Sequence, residues 1–154
     1  MIVTSHKLVS FYVGNKLYGI DMSLVQEFIE NIECTELPTT LNSITGVVNL
    51  RGRIITVSDM GLIFEGQTCR EKRLLMVMRS TFNFNSKGAK APVAFIVDNN
   101  GPIFDIHDEE LVEIPDFNDA ENIHLCSHAV KTVSGMLSII NPEKLYRVLL
   151  NENE

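Results

Sequence analysis

The sequence predicts an all-β protein with a few short helices, built as two similar small barrels in tandem. Two patterns carry this reading: apolar runs that alternate with period two or continue unbroken for five residues, and turn residues between them. A third is an internal echo. A hairpin turning at Gly52 leads after seven residues to a helix-capping Asp59, and one turning at Gly135 leads after six to a capping Asn141. Each then enters a short amphipathic helix, so the two halves repeat one unit.

In chain order, Val9, Phe11 and Val13 share one face of a strand over 8–13. Gly14, Asn15 and Lys16 supply a turn, and 17–20 returns as its partner. Ser23 to Gln26 has the S-x-x-Q form of a capping box, which predicts one helical turn. Phe28 and Ile29 then begin an extended stretch that Pro38 closes. Residues 44–50 and 53–57 read as a hairpin through Arg51 and Gly52, and Asp59 caps a helix carrying Leu62, Ile63 and Phe64. The polar stretch 65–73 is the expected connection between approximate lobes 8–66 and 67–150, with strands open to exchange between them. Residues 74–78 form a buried strand, 80–91 read as a mobile loop rich in Ser, Asn, Gly and Lys, and 92–97 form another strand. A turn is expected over 98–101. Residues 129–133 and 136–140 make the second hairpin, and Asn141 caps a helix with Pro142 at its first position. Leu145, Val148 and Leu149 lie on its docking face.

The totals exclude several functions. With 20 acidic and 13 basic side chains among 154 residues, the net charge of −7 repels nucleic-acid phosphate and anionic lipid. No apolar stretch is long enough to span a membrane, and no signal peptide is visible, so a reducing cytoplasm is expected. Three cysteines, Cys34, Cys69 and Cys126, have no zinc-ribbon or C-x-x-C spacing. Nucleotide-binding, nucleophile-elbow and zinc-protease motifs are absent, so no enzyme and no cofactor are expected.

Two clusters bear on chemistry. His124, Cys126 and His128 would share a strand face, and a metal-binding or redox protein built around Cys126 is the alternative of a different class. A fourth ligand is missing nearby in sequence, which favours a buried cysteine flanked by solvated imidazoles, with no metal. The acids Asp105, Asp108, Glu109, Glu110 and Glu113 are expected to cap and solvate a helical turn.

The run from Ile44 to Asp59 strongly resembles the CheW-like family, whose signature reads "GvvNLRG-x-IvPvvD". Gly46, Asn49, Leu50, Arg51, Gly52 and Asp59 all stand at signature positions. The opening Phe11 to Asp21, the segment Val25-Gln26-Glu27, Leu37-Pro38, Ile96-Val97-Asp98 and the closing Asn141 to Leu145 are similar to other family segments. Thr56, Gly61, Ala94 and Pro102 depart from the pattern.

The resemblance implies two intertwined five-stranded SH3-like barrels without an active site. It implies an adaptor coupling the cytoplasmic tips of bacterial chemoreceptors to the regulatory domain of a CheA-type histidine kinase, recruited from the cytoplasm to membrane arrays. A type IV pilus or other non-flagellar array is the close variant. Carried over by position, the partner-binding residues are Val25, Glu27, Gly46, Asn49 and Arg51. Arg51 beside its turn is placed to make a bidentate pair with Glu27, either supporting the surface or touching the partner.

Overall fold

The computed structural model describes residues 5–30, 33–36, 44–70, 73–80, 83–86, 89–114 and 125–150. Leu37, Pro38 and His124 lie outside these. The chain begins with an antiparallel hairpin, β1 (Ser5–Val13) and β2 (Lys16–Asp21), turning through Gly14 at a φ of 60°. A short 3-10 turn, Met22–Leu24, follows. Its cap is Asp21, whose Oδ1 accepts from the Ser23 amide at 2.9 Å, rather than the expected Ser23. The carboxylate is the stronger acceptor and starts the turn early. The Gln26 amide is thus released to donate to Glu27.

Next come β3 (Val25–Ile29), β4 (Thr35–Glu36), and the hairpin β5 (Gly46–Leu50) and β6 (Arg53–Asp59). Helix α1 (Met60–Glu65) is capped by Asp59 as expected and closed by Gly66 in the left-handed conformation. Strand β7 (Leu74–Met78) is buried throughout. The expected loop over 80–91 instead contains a strand pair, β8 (Asn83–Ser86) with the start of β9 (Ala89–Val97). Their polar composition suits a hairpin outside the main ladder order as well as it suits a loop.

The expected turn over 98–101 shrinks to a single bend at Asp98. Strand β10 (Asn99–His107) then carries the chain into the other sheet. The acids Asp108–Glu110 form a 3-10 turn, as the solvation argument required. Last come β11 (Val112–Glu113), the hairpin β12 (Cys126–Thr132) and β13 (Gly135–Ile140), and α2 (Pro142–Leu150). Asn141 Oδ1 accepts from Glu143 and Lys144, so this cap also stands where expected.

Two sheets result. One has the order β10-β1-β2-β13-β12-β11, and the other β3-β7-β9-β6-β5-β4 with β8 on β9. Without the short strands β4, β8 and β11, each reduces to five. The sheets do not divide the chain at 66 and 67: the first takes both ends of the sequence and the second takes its middle. The internal echo is real in topology. The strand before each helix pairs in parallel with a strand remote in sequence, β6 with β9 and β13 with β2.

Strand β1 is the wall between two cores. Val9, Phe11 and Val13 enter the larger cluster, shared with Met76, Phe95 and Leu145. Leu8, on the opposite face, enters a smaller cluster with Leu17, Ile106, Val130 and Leu137, all from the first sheet. The period-two pattern is therefore correct but names only half of what β1 buries.

Candidate interaction surface

The residues singled out by sequence separate into a support and a surface. Val25 and Gly46 belong to the support. Val25 is buried in the larger core, and its carbonyl accepts from Arg79 Nε at 3.1 Å. Gly46 is buried where β4 crosses close, and a Cβ there would stand 2.1 Å from the Thr35 carbonyl oxygen. That is a reason for glycine independent of any partner.

Glu27, Asn49 and Arg51 are brought together at the surface. At the β5–β6 turn both central residues have positive φ, 52° at Arg51 and 83° at Gly52, the twist-matched geometry of a tight hairpin. Asn49 Oδ1 accepts from the Gly52 amide at 3.1 Å and holds that turn. Arg51 is thereby aimed at β3, where Nη1 donates to Glu27 Oε2 at 2.7 Å and Nη2 to Oε1 at 3.0 Å. This is the bidentate pair expected from the sequence. The Arg51 guanidinium holds the Glu27 carboxyl below the usual carboxylate range, and Glu27 in turn raises Arg51.

A bulge places Glu27. Val25 pairs with Met78 and Glu27 with Val77, so β3 spends two residues where β7 spends one. In a regular pleat Glu27 would follow Val25 into the core, and the extra residue turns it outward. The pair also reports the curvature of the sheet. Strands β3 and β5 are four places apart in the order, about 19 Å in a flat sheet. Two directly bonded side chains span them, so the sheet curls on itself as a barrel does.

Behind this surface, two buried carboxylates hold the connections. Asp59 Oδ1 accepts from the Gly61 and Cys69 amides at 2.8 and 3.1 Å, with Arg73 at 3.7 Å. Asp98 accepts from Gly14 at 2.5 Å and Arg70 at 2.8 Å, while its own amide donates to the Tyr12 carbonyl. The stretch expected as a connection between lobes is thus pinned by successive amides, Cys69 and Arg70, to two carboxylates. Gly61 is explained by the same packing, since a Cβ would meet Gln67 O at 2.3 Å. Pro102 lies where β10 carries an extra residue against β1, between the Val9–Ile103 and Phe11–Asn100 pairs. An irregular edge tolerates its missing N–H.

Cys126 and His128 do not share a face. Cys126 pairs with Ile140 and His128 with Ile139, so a bulge at Ser127 breaks the alternation that would have aligned the two side chains. Cys126 opens toward a cleft with Tyr18 and Phe64, whereas His128 lines another with His6 and Asp108. Burial pushes the Cys126 thiol up to about 12, far from the thiolate that metal binding or redox exchange needs. Among the described residues no group of three His, Cys, Asp or Glu side chains is placed to hold a metal ion. No described helix is long and apolar enough to cross a membrane. The metal or redox alternative therefore lacks the shared face of Cys126 and His128 on which it was built.

Sequence reasoning missed Gln26, Arg53 and Arg79, which line a cleft beside Arg51. The only signal was the variable signature position occupied by Arg53, and the first charge after the apolar run of β7.

Fold and site together define a class: a paired-sheet β protein whose signature residues build a tight hairpin turn and the side-chain pair beside it. The chain belongs to the CheW-like domain family, whose profile matches residues 7–149. It is 30% identical over 109 residues to the chemotaxis protein CheW of Klebsiella aerogenes, covering 70% of this chain and 61% of that protein. It is 24% identical over 143 residues to the chemotaxis protein CheW of Bacillus subtilis, covering 91% and 86%. The crystal structure of the scaffolding protein TtCheW from Thermoanaerobacter tengcongensis matches with a TM-score of 0.71 at 26% identity, over 90% of each chain.

Proposed function

We propose that this chain is a non-enzymatic adaptor that couples bacterial chemoreceptors to a CheA-type histidine kinase. The observation that carries the reading is the family match across residues 7–149, with the signature's own residues engaged as a built surface. Asn49 holds the turn, Gly52 permits it, and Arg51 is fixed on Glu27. The partners on this reading are the receptor's cytoplasmic tip and the kinase's regulatory domain. The protein works in the cytoplasm, at receptor arrays, without inserting in the membrane or binding nucleic acid. Glu27, Asn49 and Arg51 form the docking surface, and Val25 and Gly46 shape it from within. The test is recovery of the tagged protein from its native cells. A histidine kinase together with chemoreceptors is expected, and the receptors' identity assigns the array to swimming, to a type IV pilus or to another output. Recovery of neither, from cells that make both, overturns the reading.

A further inference from the structure

Beside the Glu27–Arg51 pair the second sheet leaves an open cleft of about 440 Å³. Its floor is apolar, made by Leu50, Ile55, Val77 and Met78, of which the last three are buried. Its rim carries three guanidinium groups, from Arg51, Arg53 and Arg79. Arg53 shares a strand face with the buried Ile55, two residues on, so the pleat aims it over the floor. Arg79 follows the last residue of β7 and is anchored through Nε to the Val25 carbonyl, and it makes no ion pair among the described residues.

The charges do not balance. Glu27 neutralises Arg51, so three cations less one carboxylate leave two positive charges at this mouth, and no carboxylate lines the cleft among the described residues. Arg53 is exposed and makes no ion pair among the described residues. This local surplus stands on a chain of net charge −7.

We propose that the cleft is a docking site for an acidic segment of a partner protein, one or two carboxylates bridging Arg53 and Arg79 while an adjacent apolar side chain covers the floor. The forked guanidinium suits a carboxylate in two-point contact. Leu50, the half-buried member of the floor, gives an adjacent apolar side chain a place to rest that a free anion does not use. A long polyanion such as nucleic acid is repelled by the rest of the molecule. The proposal deepens the adaptor reading and rests on it for the biological partner.

The test is a binding titration of the full chain with a short labelled peptide of glutamate and leucine, against the same peptide with glutamine for glutamate. The glutamate peptide is expected to bind and to weaken as salt is raised. Arg53→Ala and Arg79→Gln should each weaken it by about tenfold, and Arg53→Glu by more. Denaturant midpoints confirm that each variant is folded. Equal binding of the two peptides, or wild-type affinity in the folded Arg53→Ala and Arg53→Glu variants, overturns the proposal. So does full displacement by inorganic phosphate, which would reveal a simple anion site. The titration contains neither receptor nor kinase, so its failure leaves the adaptor reading untouched, and failure to recover those partners from cells leaves the titration standing.

Discussion

Glu27 and Asp59 are both carboxylates facing an arginine, yet they do opposite work. Asp59 is fully buried, and its nearest partners are backbone amides that fix the start of α1 and the return of the chain at Cys69. Glu27 has a side chain 27% exposed, and its main partner is a side chain 65% exposed. A buried carboxylate satisfied by amides locks connectivity, because removing it strands donors that water cannot reach. An exposed pair fixes where two side chains point and adds little to stability, because water and salt compete with it. The fold is held in one place and the surface is displayed in another.

The sharpest way to break that contrast is Asp59→Ala. It removes a helix cap and leaves the Cys69 amide without its acceptor, and should cost about 3 kcal/mol in urea unfolding. A loss below about 1 kcal/mol would place Asp59 with the surface residues. Gly46→Ala comes next. Its Cβ would meet backbone on β4, so the strands must separate at a cost of about 2 kcal/mol. Faster amide exchange at Val47, opposite Thr35, would locate the damage. Unchanged exchange and stability would return Gly46 to the docking surface. Asp98→Asn retains one acceptor oxygen for the two amides of Gly14 and Arg70, and should cost about 1.5 kcal/mol. A neutral result would show that the two sheets do not depend on Asp98 for their junction.

Much of this was legible in the sequence because the deciding signals were local. Both helix caps, the Gly52 and Gly135 turns and the buried strand 74–78 stand where their residues placed them. The Arg51–Glu27 pair was legible through the family signature and the chemistry of arginine. What failed depended on distant partners. The box at Ser23 lost to the Asp21 carboxylate, a stronger acceptor that starts the turn early enough for the chain to re-enter a strand at Val25. The face shared by Cys126 and His128 was destroyed by a bulge, which has no composition of its own. Nothing in the polar stretch 65–73 announces that two of its amides meet Asp59 and Asp98, nor does the loop-like composition of 80–91 announce a strand pair. The cleft over Ile55 was invisible because its rim gathers arginines from β6, from just past the end of β7 and from a turn.

The smallest expected effect is at the Glu27–Arg51 pair, and its smallness is the point. Arg51→Ala should stay folded with a urea midpoint close to wild type, while recovery of receptor and kinase falls; unfolding at room temperature would make Arg51 part of the scaffold instead. The pH dependence has a fixed sign. Hydrogen bonding from Arg51 lowers the Glu27 pKa in the folded state, so the unfolded chain binds more protons through the acidic range. The pair's contribution is therefore fully present above the ordinary carboxylate range and is lost as pH falls toward the lowered folded value. Comparing wild type with Glu27→Gln should give a small stability difference at neutral pH that fades in acid and also in high salt. A difference that persisted in acid would mean that the Glu27 side chain matters by packing rather than by charge, and the contrast with Asp59 would have to be redrawn on shape.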